Sequence, residues 1–206
     1  MELKRSQTIE APHQKVWEAL NDIEILKASI PGCESLERTD DDTLRAVVKL
    51  KVGPIGARFN GIVKFSDVNP PDSYTLTFEG QGGAAGFAKG NAQVSLRPEG
   101  PDVTILDYET KAQVGGKLAQ LGARLIDSAA IKTSTEFFDN FSKVLATQTE
   151  VEAKAETPVE AAAAQAAEPR PVVSDTNESV PGSFNKPLVY GVGALVVLVL
   201  VFYAFT

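Results

Sequence analysis

Histidine and cysteine are all but missing: His13 and Cys33 are the only ones in 206 residues. One of each cannot complete a zinc site of ordinary ligand number and spacing, so no metal centre is expected. Cys33 has no second cysteine to pair with, which fits a reducing compartment. It follows the Pro31-Gly32 turn signal and reads as a small strand residue rather than a nucleophile. His13 falls at an expected helix start just after Pro12, where a solvated side chain is the default, and no Ser-His-acid set has support. Catalysis therefore has few residues to work with.

Positive charge is also scarce. The formal net charge is −7, and no run of Lys or Arg stands out, so nucleic acid is not an expected partner. The first residues, MELKRSQTIEAP, place Lys4 and Arg5 ahead of no apolar run. They do not read as a secretory signal, and the body is expected to stay in the cytosol. Asn177-Glu178-Ser179 then has no meaning as a glycosylation acceptor.

What the chain does have is one long apolar run, LVYGVGALVVLVLVFYAF at 188–205, without charge or proline. At about 1.5 Å per residue such a helix spans ~27 Å, close to the thickness of a bilayer core. Tyr190 lies near one end and Tyr203 near the other, where amphipathic rings favour the interface. A single-pass anchor in the cytoplasmic membrane is expected here, with the N-terminal domain in the cytoplasm. Residues 149–187 shift to Ala, Glu, Pro, Val and Ser and lose apolar periodicity. They read as an acidic, disordered linker. The remaining residues, 1–148, form the folded domain.

That domain begins with an expected strand over 2–10, broken by Ala11-Pro12. Val16, Trp17 and Leu20 then follow helical spacing, as does a second short piece over 23–29. Six stretches of period-two alternation come next, separated by Asp, Gly and Pro turns. Leu44, Ala46, Val48 and Leu50 share one face; so do Phe59, Val63 and Phe65, and so do Tyr74, Leu76 and Phe78. The sixth stretch places Leu106, Tyr108 and Thr110 together. This pattern argues for an antiparallel meander with one buried face. After Gly115-Gly116 a helical pattern is expected from Leu118 through Gln148, carrying Leu121, Leu125, Phe137 and Phe141. The fold class is α+β: a curved antiparallel sheet of about seven strands wrapped around a long C-terminal helix.

Gly80, Gly82 and Ala85 fit a loose dinucleotide-binding pattern. That pattern needs a following helix N-terminus to hold the pyrophosphate, and 87–96 reads as another strand, so a turning hairpin is the better reading. The tips Gly53-Pro54-Ile55 and Gly83 to Gly86 with Phe87 carry apolar side chains, and the sharper reading is that they touch a membrane or a partner. On the inward faces, Trp17, Phe59, Val63, Phe65, Leu76, Phe78, Ala92, Leu106, Tyr108, Leu118, Leu121 and Leu125 are the candidate lining of an apolar site. From periodicity alone a packed core is the plainer reading.

Several local patterns together resemble the G-subunit family of carbon monoxide dehydrogenase, within the START and birch-pollen-allergen-like helix-grip superfamily (SRPBCC). They are Ala11-Pro12 with Val16-Trp17, Ile30-Pro31-Gly32-Cys33, and Lys51-Val52-Gly53-Pro54-Ile55 with Phe59 and Gly61. The glycines of 80–90 and Gly115-Gly116-Lys117-Leu118-Ala119-Gln120-Leu121-Gly122 complete the set. The resemblance implies a helix-grip fold with a cavity between sheet and helix. It implies a non-catalytic accessory protein that brings a molybdenum-containing carbon monoxide dehydrogenase, or a related molybdenum hydroxylase, to the cytoplasmic membrane. A respiratory quinone, ubiquinone or menaquinone, is the implied ligand, with Tyr108, Thr104, Thr110 or Gln7 as possible donors to its carbonyl. A recruitment scaffold without ligand and a cyclase or hydrolase of the same fold are the alternatives.

Overall fold

The computed structural model describes residues 2–155. The expected anchor at 188–205 and most of the expected linker lie outside them. No helix among the described residues is long and apolar enough to cross a membrane.

The chain opens with β1 (Glu2–Ile9), then two short helices, α1 (His13–Ala19) and α2 (Ile23–Ser29). Pro12 precedes α1 with φ −57° and gives no side-chain cap, while Asp22 caps α2 by accepting from the N–H groups of Glu24 and Ile25 at 2.8 and 3.0 Å. Removing a cap of that kind costs about 1 kcal/mol. Six strands follow: β2 (Cys33–Asp40), β3 (Thr43–Val52), β4 (Ile55–Asn69), β5 (Ser73–Gln81), β6 (Phe87–Pro98) and β7 (Thr104–Gly115). They pair antiparallel in the order β1-β7-β6-β5-β4-β3-β2, so β1 closes the far edge against the last strand. Thr104 locks that closure by donating from Oγ1 to the Ala11 carbonyl at 2.8 Å.

Side-chain alternation assigns the faces as the strand parity requires. Leu44, Val48, Phe59, Val63, Leu76, Phe78, Ala92, Leu106 and Tyr108 are buried and belong to one hydrophobic core. Helix α3 (Ala123–Ala155) packs into the same core, with Phe138 against Tyr108. It buries Ile126, Ala130, Phe137, Phe138, Phe141 and Leu145, spaced by three, four or seven apart from the adjacent phenylalanines. Each large apolar side chain removed from water in this way contributes about 1.5–3 kcal/mol.

The long helix differs from the sequence expectation at both ends. The long helix does not begin at Leu118. Leu118 precedes a short 3₁₀ turn at Ala119–Leu121, and Gly122, at φ 84°, separates that turn from α3. At its other end α3 runs past the expected domain boundary at 148, to Ala155.

Candidate functional site

The inner face of the sheet is built by register. Ala46 pairs with Gly61, Gly61 with Gly80, and Gly80 with Ala88. Four strands thus place small inward residues in one row. Beside it Gly90 pairs with both Phe78 and Ala112, and Ala92 with both Leu76 and Thr110. The row lowers the floor of the sheet, and larger side chains on either side fill above it. Phe59 turns toward Gly82, where an added Cβ would come within 2.1 Å of its ring. Leu118 closes the same end and is 1% exposed.

The sequence-derived lining residues mostly meet in this core. Trp17, Phe59, Val63, Phe65, Leu76, Phe78, Ala92, Leu106, Tyr108 and Leu118 are all buried in it, and Leu121 packs against it half-buried. Leu125 is the exception. Its spacing predicts an inward side chain, but it is 43% exposed, because Gly122 resets the helix phase and turns Ile126 to the core instead.

Polar groups on this face are few and unequally satisfied. The Thr104 hydroxyl is used on Ala11. Tyr108 bonds Ser134 of α3; burial pushes its phenol up, and that bond opposes the shift. Its ring stacks on Phe138 at 6.0 Å. Gln7 donates to the Thr8 carbonyl at the surface. The Thr110 hydroxyl is buried with no hydrogen-bond partner among the described residues, and the same holds for Thr133 on α3. Of the four donors the sequence offered, Thr110 is therefore the one that is buried without a partner among the described residues. Thr133 escapes a reading of the sequence, because a threonine on a long helix gives no local sign of facing a sheet.

His13 and Cys33, the two residues weighed for catalysis, lie on different elements, α1 and β2. His13 sits 3.7 Å from Asp72 at the opposite end of the sheet. Burial raises the Cys33 thiol, which disfavours the thiolate a nucleophile needs. No group of three or more His, Cys, Asp or Glu side chains among the described residues converges to hold a metal. The glycines at 80–86 lead through a 3₁₀ turn, Gly83–Ala85, into strand β6, so no helix N-terminus follows them.

The expected docking loops converge at one end. Gly116 approaches Gly86 so closely that a Cβ there would fall 2.5 Å from the Gly86 Cα. The Leu118 N–H donates to the Ala85 carbonyl at 3.0 Å. A side chain at Gly53 would meet Leu125 Cδ2 at 3.2 Å, so the Gly53-Pro54 tip reaches the first turn of α3. Phe87 is 37% exposed, its ring seated over Gly115, and Ile55 is half-buried against the core. On the outer face a separate groove of about 1040 Å³ runs past Ile62, Lys64, Lys89 and Lys111.

The family model of the carbon monoxide dehydrogenase G-subunit (CoxG) matches residues 6–146. A conserved protein of Geobacillus kaustophilus is 30% identical, with a TM-score of 0.69 over 72% of this chain and 97% of its own. A START superfamily protein of Mycobacterium smegmatis is 16% identical, with a TM-score of 0.55 over 71% of this chain and 98% of its own. The ZhuI aromatase/cyclase of a Streptomyces species is 10% identical, with a TM-score of 0.53 over 72% and 95%. The last two likenesses are of fold alone. No curated protein matches the chain.

Proposed function

This chain belongs to the CoxG family of carbon monoxide dehydrogenase, and from that membership we propose that it is a non-catalytic accessory protein that carries a respiratory quinone for a membrane-bound redox enzyme. The enzyme is a molybdenum-containing carbon monoxide dehydrogenase or a related molybdenum hydroxylase. The quinone, ubiquinone or menaquinone, occupies the space between the inner sheet face and α3. The apolar run at 188–205 holds the domain at the cytoplasmic membrane, where both quinone and enzyme are within reach.

The observation that carries this reading is the Thr110 hydroxyl, buried on an apolar face and unpartnered among the described residues. A buried hydroxyl without a partner costs about 1–3 kcal/mol, and a quinone carbonyl accepting from Thr110 Oγ1 removes that cost. The surrounding alanines and glycines let an isoprenoid tail lie against the sheet once neighbouring side chains move aside. Burying apolar tail surface contributes ~25 cal/mol per Å².

A second reading has its own observation. The inner-face side chains are almost wholly enclosed, with Val63, Leu76 and Leu106 at 0% exposure. That favours a packed core and a recruitment scaffold without ligand. Ala92→Phe separates the two. In a carrier it displaces quinone and leaves the melting temperature nearly unchanged. In a packed core it overfills the interior, costs about 1–3 kcal/mol, and has no quinone to displace. The measurement is extractable quinone, by mass spectrometry of the full chain purified from membranes, beside the melting temperature. A wild-type protein that is free of quinone and takes none up from quinone-loaded vesicles leaves only the scaffold.

A further inference from the structure

The sequence shows no run of basic residues, yet the fold sorts charge along the strands. At the end that gathers the Gly53-Pro54 tip, the Gly82–Phe87 turn and the start of α3 lie Lys49, Lys51, Arg58, Lys89, Lys117 and Arg124. Of these, Arg58 is tied to Glu34 at 2.9 Å, Lys89 stands opposite Glu79 in the β5–β6 register, and Asp127 follows Arg124 on α3. The opposite end is acidic: Asp40, Asp41 and Asp42 around the β2–β3 turn, Asp67 and Asp72 around the β4–β5 turn, and Glu99 and Asp102 between β6 and β7. All seven of those acids are exposed. The body as a whole is negative, so a basic end is not a by-product of overall charge.

The basic end is also where apolar side chains protrude. Among the described residues the most exposed large apolar side chains are Ile62, Phe87, Leu125 and Ile131, and two of these four, Phe87 and Leu125, lie here. Exposed Pro54 and half-buried Ile55 stand at the neighbouring tip. Apolar tips gathered at one end and ringed by lysine and arginine match the layering of a bilayer surface. Apolar groups sink below the headgroups while ammonium and guanidinium groups remain at the phosphates.

We propose that this end of the domain docks directly on an anionic phospholipid surface, with the acidic end turned to the cytosol. Field and shape act together: the same surface that attracts Lys51 and Lys117 repels Asp41 and Asp102, so one orientation is selected. Docking places the Gly82 turn, the cover over Phe59, at the lipid boundary. This deepens the carrier reading and rests on it for purpose, since it gives the quinone a path from bilayer to grip that avoids water. The docking itself does not require a ligand.

The test uses the full chain reconstituted in two kinds of vesicle, phosphatidylcholine alone and a phosphatidylcholine–phosphatidylglycerol mixture. The readout is backbone hydrogen exchange at 53–57 and 82–88. Slower exchange of both loops on the mixed vesicles is expected, and high salt should weaken it. Each basic side chain near an anionic surface is worth about fivefold in the docked-to-free ratio. Lys51→Glu with Lys117→Glu should therefore return both loops to the rate seen on neutral vesicles, with the melting temperature unchanged because both residues are exposed. Equal exchange on both vesicle types overturns the proposal. So does protection that survives the double reversal, or protection that arises only when the redox enzyme is added. Quinone content is measured on the same samples. Protected loops in a quinone-free protein sink the carrier and leave the docking, whereas full quinone content with unprotected loops does the reverse.

Discussion

Tyr108 of β7 and Phe138 of α3 stack with ring centroids 6.0 Å apart and planes 27° from parallel, and this contact joins the helix to the strand beside the β1 edge of the sheet. The phenol is held up by burial, and so is that of Tyr74, which is enclosed between Trp17 and Phe65. Both folded hydroxyls keep their protons more tightly than in an unfolded chain. Unfolding therefore releases protons once the pH passes the ordinary tyrosine value of about 10. Stability from these groups is complete below that pH and is lost as pH rises beyond it. Denaturant midpoints should fall on the alkaline side, and Tyr74→Phe with Tyr108→Phe should flatten the fall. An alkaline slope that is the same in the double variant would show that other groups cause it.

Thr110→Val replaces an unpartnered buried hydroxyl with a methyl of nearly the same shape. Stability should hold or rise by about 1 kcal/mol, because the orphaned group is gone. If the hydroxyl serves a quinone carbonyl, retained quinone should drop severalfold in the same variant. Thr133→Val makes the parallel test on α3. A clear loss of stability in Thr110→Val would mean that the hydroxyl is satisfied in the folded protein and is not held for a ligand.

Gly83 and Gly116 both have positive φ, at 60° and 82°. An added methyl at Gly83 meets open space, whereas at Gly116 it meets the Gly86 backbone at 2.5 Å. Gly83→Ala should cost only the left-handed penalty, about 1–2 kcal/mol. Gly116→Ala should cost more and should loosen the contact between the Gly83–Ala85 turn and Leu118. Thermal unfolding of the two variants side by side checks the order. Equal losses would mean that the two loops can separate freely.

Deleting 187–206 should release the protein into the soluble fraction with its melting temperature unchanged, since the described residues from Ile9 to Leu145 already gather a hydrophobic core. Val197→Arg in the full chain should impair insertion, because a charge at mid-bilayer costs about 2.5–3.5 kcal/mol on insertion scales. Carbonate extraction reads both. A truncated chain that still resists extraction would place the membrane attachment elsewhere.

Strand content and face were legible in the chain because they are local. Alternation along Thr43–Val52 or Ile55–Asn69 decides which side chains share a face before any partner is known. The Asp, Gly and Pro breaks between the alternating stretches marked the turns, and the two short helices were legible from Val16, Trp17 and Leu20 and from the short piece over 23–29 that ends before Ile30-Pro31-Gly32. The tertiary structure decided whatever depends on register or on a distant neighbour. Pairing aligned Ala46, Gly61, Gly80 and Ala88 into one row, although each alone reads as an ordinary small residue. The bond from the Leu118 N–H to the Ala85 carbonyl, with Gly122 at positive φ, separated Leu118 from α3 and turned Leu125 outward. A helical period cannot show such a break, because apolar spacing continues across it. Charge followed the same division. Its total is a property of composition, but its separation into a basic loop end and an acidic end exists only once antiparallel pairing brings alternate turns together.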